Sequence, residues 1–247
     1  GLSGKVRYGQ QPYDFDEGLM SFVSPGQVIS VKVHKAPAYH PTGWVLLVHP
    51  DFLWGSKLAK GIKNYTFFGY NINEALFLSD KEEQSMIGIM KNIQSEYHTN
   101  IDEFSQKIII SQIEVLLNYA QRFYQRQFLT RKISNHQVLA KLDDWLTEYF
   151  NRVDLASTGL PSVQDVADQL LISSNYLGSL LRILTGQNTQ QHIHEKLIEK
   201  AKEKLSTTQL SVSEIAYSLG FEHSQSFSRL FKRKTNQSPL EFRASFN

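Results

Sequence analysis

The chain has 247 residues, 41% of them hydrophobic and 20% charged, with 26 Lys and Arg against 24 Asp and Glu for a net charge of +2. Such a length and balance suit one large or two ordinary folded domains and exclude a disordered polyelectrolyte, while the charge by itself argues neither for nor against nucleic acid. The lack of cysteine excludes disulfides, thiol nucleophiles and Cys-ligated metal centres. The longest apolar runs, Trp44 to Val48 and Ile108 to Ile110, fall far short of the ~20 residues of a membrane helix, so a soluble protein of the cytoplasm is expected.

Along the chain, short β-rich runs come first: Leu19 to Val23, a Ser24-Pro25-Gly26 turn, Val28 to Val33, Gly43 to His49 and Tyr65 to Phe68. They predict a small all-β unit. Ser79-Asp80-Lys81-Glu82 then has the spacing in which a hydroxyl and a carboxylate satisfy the free amides of a helix start. A long helix is expected over 101–128, with Ile109, Ile113, Leu116, Leu117, Ala120, Phe123 and Tyr124 as its apolar stripe. That stripe is expected to pack on the β unit and, through Ile109, Ile113, Leu116 and Leu117, on a second copy of the chain. Polar residues Thr130 to Asn135 read as a linker ending in a helix cap, which gives domains of 1–130 and 136–247.

The last 90 residues contain an internal repeat. Ser162, Val163, Val166, Ala167, Leu170 and Ile172 match Ser211, Val212, Ile215, Ala216, Leu219 and Phe221 at an offset of 49, and Leu177, Leu180, Leu181 and Arg182 match Phe227, Leu230, Phe231 and Lys232 at an offset of 50. Each copy reads as a capped short helix, a tight turn and a second helix with a polar outer face, the helix-turn-helix pattern. Thr189 to Ser206 joins them as one helix of about 25 Å at ~1.5 Å per residue, long enough with its flanking turns to set two recognition helices in successive major grooves.

The segment SVSEIAYSLGFEHSQSFSRLFKRKTNQSPLEFR, Ser211 to Arg243, resembles the second helix-turn-helix of the AraC-type (AraC/XylS) transcription regulators. The first copy, through Ala167, Ser173, Tyr176-Leu177 and Gly186, is similar but looser; Leu181 stands where the family usually has Phe, and Asn236 where it commonly has Gly. Residues 8–28 look like the sensor half of such regulators. The resemblance therefore implies an α+β chain, a partial cupin-like β-barrel with a helical dimerisation segment followed by an all-α domain with two helix-turn-helix motifs. It further implies double-stranded DNA as partner, a homodimer, a small-molecule effector held against Trp44, Trp54 and Lys57, and RNA polymerase as the target of an activator.

On the first recognition helix the resemblance makes Asn175, Gly178 and Ser179 base-facing, with Arg182 beside them; Gly178 offers no side chain, so weak discrimination is expected. On the second, Ser224, Gln225, Ser228 and Arg229 face outward. Gln225 suits adenine N6 and N7, and Arg229 suits guanine O6 and N7. From Glu222 to Arg243 five basic residues oppose two acidic ones. Besides Arg229, these are Lys232, Arg233, Lys234 and Arg243, expected on phosphates, where they position the helix without reading sequence.

No enzymatic chemistry is supported. His34, His40 and His49 lack the His-x-His spacing with a downstream Glu used by cupin metalloenzymes, the alternative reading of a fused β-barrel, and no metal or cofactor is expected. Asp14, Asp16 and Glu17 have no partner nucleophile, and phosphate-binding glycine loops and Gly-x-Ser-x-Gly are absent.

Overall fold

The computed structural model describes residues 6–8, 11–13, 18–27, 43–99, 102–130, 132–152 and 155–246. The chain is mostly helical and divides into two compact units, residues 1–131 and 132–247.

In the first unit β1 (Val6–Tyr8) pairs antiparallel with β2 (Gln11–Tyr13), and β3 (Gly18–Met20) with β4 (Leu76–Leu78), Gly18 opposite Leu78. Among the described residues these two pairs are the whole of the β-structure, so the expected all-β unit is not what forms there. The run from Gly43 to His49 is irregular, and Tyr65 to Phe68 falls mainly in a 3-10 turn, Thr66–Gly69. Val28 to Val33, like Asp14, Asp16, Glu17, His34 and His40, lies outside the described residues. Local polar closures explain the turns that replace strand. His49 Nδ1 accepts the Asp51 N–H at 3.3 Å and starts one at Pro50–Leu53, and the Ser56 hydroxyl accepts the Ala59 N–H at 3.2 Å to start α1 (Lys57–Gly61). Phe67 is buried among rings, its centroid 4.4 Å from Phe22 and 5.5 Å from Tyr124.

Helix α2 (Asp80–His98) begins with the expected Ser79–Glu82 capping box, and α3 spans Ser105–Thr130. α2 lies along α3 and contributes buried Met86, Ile89 and Ile93, while Ile109, Ile113, Leu116 and Leu117 of α3 are all buried. The assignment of those four to a dimer contact is thereby corrected: their apolar surface is already covered within the unit. The far end of α3 grips β4. The buried Gln127 side chain accepts the Phe77 N–H at 2.9 Å and donates to Ala75 O at 3.2 Å, doing for one strand edge what a neighbouring strand would do. Beside it Arg126 donates to Phe77 O at 2.7 Å and to both Glu82 oxygens at 2.6 and 3.1 Å.

The second unit comprises α4 (Lys132–Asn151), α5 (Leu155–Thr158), α6 (Val163–Gln169), α7 (Ser174–Thr185), α8 (Thr189–Thr207), α9 (Val212–Ser218), α10 (Ser224–Thr235) and α11 (Pro239–Ala244). The linker expected up to Asn135 is already helical from Lys132, and Asn135 is buried inside α4 instead of capping it. One core joins everything: Leu142, Leu146 and Phe150 of α4, Ile193, Leu197, Ile198, Ala201 and Leu205 of α8, and the inner residues of both helix-turn-helix copies. Ala167 and Ala216, each fully buried, let the helices of each pair cross closely. In the second copy an aromatic ladder runs through this core, Phe221 to Phe227 to Phe231 to Phe242, with centroids 5.5 to 5.8 Å apart. The first copy fills the places of Phe221, Phe227 and Phe231 with Ile172, Leu177 and Leu181.

Candidate nucleic-acid interface

Each recognition helix is placed by its own sequence. α6 and α9 start with reciprocal capping boxes, Ser162 with Asp165 and Ser211 with Glu214, so both scaffold helices begin at a fixed residue. The Ser211 backbone and hydroxyl hydrogen bonds hold the Glu214 carboxyl below the ordinary Glu value. α7 starts at Ser173, whose hydroxyl accepts the Tyr176 N–H at 3.1 Å, and ends at Gly186 in left-handed backbone. α10 ends the same way at Asn236, φ 61°, a residue that tolerates this conformation nearly as well as glycine. α11 begins with the Ser238–Glu241 box and Pro239 at its first position.

Burial then divides each helix into two faces. On α10, Phe227, Leu230 and Phe231 are buried, while Gln225, Arg229 and Lys232 are exposed, with Ser224 and Ser228 half-buried among them. Positions 225, 228, 229 and 232 follow helical spacing and share one side. On α7 the same offsets place exposed Asn175 and Arg182 with half-buried Gly178 and Ser179 over buried Leu177, Leu180 and Leu181. This face carries one charge where that of α10 carries two, since Ser179 stands where Arg229 does.

Arg233 and Lys234 are also exposed, in the last turn of α10, where cations oppose the negative end of the helix dipole as well as being free for an anion. Arg243 differs. Its guanidinium donates to Leu205 O at 3.2 Å and Leu210 O at 2.6 Å, tying α11 to the end of α8 and the loop beyond. Its assignment to a phosphate contact is corrected: the side chain is engaged with backbone carbonyls.

Gln164 was not singled out by the sequence reading. It donates to Asp168 at 2.7 Å and accepts the Ser174 hydroxyl at 2.6 Å, linking α6 to the first residue of α7. Position 213 of the second copy is Ser, so the repeat itself gave no signal for it.

In the first unit Trp44 and Trp54 are exposed, Trp54 by 70%, and neither lines the open cleft of about 250 Å³ beside Lys57, which is bounded by Leu58, Gly61, Asn64, Tyr65, Glu114 and Gln121. The expected effector wall of Trp44, Trp54 and Lys57 is not assembled by the described residues. Among these residues no helix is long and apolar enough to cross a membrane.

Residues 166–245 match the model of a helix-turn-helix domain family. An uncharacterised HTH-type transcriptional regulator of Pseudoalteromonas carrageenovora is 32% identical over 99 residues, 40% of this chain and 54% of that protein. The regulatory protein SoxS of Salmonella typhimurium is 27% identical over 111 residues, 45% of this chain and 97% of its own length. The transcriptional activator RhaS of Escherichia coli is 38% identical over 78 residues, 32% of this chain and 28% of RhaS. The chain thus spans about half or less of the first and third of these relatives. With the duplicated motif, its capped helices and these matches in hand, the C-terminal unit is a helix-turn-helix domain similar to those of AraC-type transcription regulators.

Proposed function

We propose that the chain is a sequence-specific double-stranded DNA-binding regulator of transcription that reads two successive major grooves with α7 and α10. The observation that carries this reading is the face of α10, where Gln225, Arg229 and Lys232 stand exposed at helical spacing above a fully buried Phe227 and Phe231. Gln225, Arg229, Ser224 and Ser228 read bases; Lys232, Arg233 and Lys234 contact phosphates. Asn175, Ser179 and Arg182 of α7 add weaker discrimination. α8, 19 residues and about 28 Å long, is the strut between the two helices.

The names of SoxS and RhaS support regulation, and that of RhaS supports activation. RNA polymerase as partner and the cytoplasm as location belong to the same proposal. The cupin-like sensor half rests on the resemblance of residues 8–28, the described strands amounting to two antiparallel pairs. For the homodimer, the outer face of α3 takes the place of the buried stripe: Phe104, just before the helix, with Ile108, Val115 and Tyr119 on it, is exposed.

The test is selection of duplexes from a random pool by the full chain, followed by binding of the enriched sequences to variants. Arg229→Ala is expected to relax the preference at one base position, at a cost of about 1–3 kcal/mol on the best site. Lys232→Ala is expected to weaken all duplexes alike and shrink the salt slope by about 1. An Arg229→Ala chain with unaltered base preference removes the readout role.

A further inference from the structure

The two helix-turn-helix copies differ at their turns in a way that the DNA-facing residues do not explain. Each turn holds one residue in left-handed backbone, Leu171 at φ 57° in the first and its repeat partner Gly220 at φ 85° in the second. The Leu171 side chain is 80% exposed. At Gly220, by contrast, a Cβ would lie 2.9 Å from the carbonyl carbon of Gly159 and 3.1 Å from its Cα and oxygen, closer than side-chain carbons approach a backbone. Glycine is therefore required at 220 by a neighbour as well as by φ.

Gly159 is itself fixed. Its N–H donates to Leu155 O at 2.8 Å, and its carbonyl accepts the Tyr149 hydroxyl at 3.0 Å. Leu155 is fully buried, and the Tyr149 ring is held by Trp145 at 5.0 Å and by the Arg152 guanidinium at 5.5 Å. Only Leu160 and Pro161 separate Gly159 from Ser162, the cap of α6. The loop that launches the first helix-turn-helix is thus the loop pressed against the turn of the second.

We propose that the Tyr149–Gly159–Gly220 contact is a brace that fixes the angle between α7 and α10, and so sets the spacing of half-sites the chain accepts. The inference rests on the DNA-reading function above. A single strut leaves rotation of one motif about the strut axis to the packing at its ends; a second contact away from that axis removes the freedom. Tyr149, Gly159 and Gly220 are not among the residues assigned to bases or phosphates. They are positioning residues, acting through α9 on the direction in which α10 points.

The experiment uses the full chain and the duplexes that the wild type enriches from a random pool. These are rebuilt as a spacer series, with the two half-sites moved one base pair at a time, and as duplexes with either half-site scrambled. The wild type is expected to show a sharp spacing optimum. Tyr149→Phe keeps the ring and deletes only the hydrogen bond; it is expected to broaden that optimum and lower affinity at the best spacing about two- to tenfold, the worth of one such bond, while single half-sites bind as before. Gly220→Ala should act in the same direction and more strongly, and if it fails to fold, Tyr149→Phe still decides the matter. An unchanged spacing profile for Tyr149→Phe, or an equal loss on every duplex, overturns the brace and leaves DNA reading intact. A pool from which the wild type enriches nothing overturns DNA reading and the brace together.

Discussion

Thr189 and Pro239 occupy the same place in the two copies, 50 residues apart, each buried as the first residue of the helix that follows a recognition helix. The residues before them, Asn188 (φ −87°, ψ 167°) and Ser238 (φ −70°, ψ 158°), have nearly the same extended backbone, and both head a capping box. The equivalence is not complete. The Thr189 hydroxyl is buried without a hydrogen-bond partner, a defect that proline at 239 does not have.

Thr189→Pro is therefore expected to stabilise the protein. The N–H it removes has no intrahelical partner at that position, the preceding residue is already in the conformation that proline demands, and the orphan hydroxyl disappears. The gain should be about 1 kcal/mol, read as a higher urea midpoint with an unchanged m-value. A lower midpoint would mean that the pyrrolidine ring does not fit where Pro239 fits in the second copy.

Leu171→Gly is a second stabilising change. Leucine in left-handed backbone costs about 1–2 kcal/mol, and its side chain, being exposed, contributes little packing to offset this. After the extra flexibility of glycine in the unfolded chain, a net gain of about 0.5–1 kcal/mol should remain, measured by thermal melting. A drop in melting temperature would show that the leucine side chain makes a contact worth more than the backbone strain.

Arg243 separates a structural tie from a phosphate contact. Arg243→Ala removes two charge-assisted hydrogen bonds to carbonyls and should cost about 2 kcal/mol in stability. With the protein held well below its melting temperature, the salt slope of DNA binding should stay at the wild-type value. A slope smaller by about 1 would return the residue to the phosphate-contact set.

These cases show what the sequence carried and where it stopped. The helix starts at Ser79, Ser162, Ser211 and Ser238 were legible because a capping box relates two residues only three positions apart, and no distant neighbour need complete it. The repeat was legible for a similar reason, since two copies of one pattern confirm each other. Arg243 was misread because its basic neighbours suggested phosphate, whereas its carbonyl partners lie 33 and 38 residues earlier in the chain. The Tyr65 to Phe68 run was misread because aromatic residues favour strands until a tertiary contact, here Phe67 against Phe22 and Tyr124, decides otherwise. The stripe on α3 was found correctly, but not α2 as its cover.

Stability should also fall on mild acidification. His192, with its ring 2.9 Å from the Thr185 hydroxyl, and His194, with its Nε2 3.0 Å from the Gln190 amide, are half-buried on α8. Burial lowers both below the ordinary value of 6.5; Glu195 works against this at His192, whereas Lys234 and Arg233 add to it at His194. With the folded pKa below the unfolded one, the unfolded chain takes up protons first, so this stability is fully present above about pH 6.5 and is lost as the pH drops beneath it. Urea midpoints at about pH 7.5 and 5.5 should differ in that sense, and a His192→Gln, His194→Gln double variant should show a smaller difference. An equal difference in wild type and variant would assign the effect to other groups.

The outer face of α3 gives the proposed dimer its test. Burial of Ile109, Ile113, Leu116 and Leu117 within the unit leaves Ile108, Val115 and Tyr119 on the opposite side of the helix, with Phe104 just before it, each more than a third exposed. Ile108→Glu places a charge in that row without disturbing the core, so it should shift the sedimentation of the full chain from dimer to monomer while leaving the melting temperature of a dilute sample within a few degrees. Ile109→Ala is the control, expected to cost about 2–5 kcal/mol in stability because it opens a cavity at a buried position. If Ile108→Glu sediments as the wild type does, self-association does not use this face. A dimer joined here would also hold two DNA-binding units at high mutual concentration, so Ile108→Glu should lower occupancy on DNA bearing two copies of the site and leave a single copy bound as before.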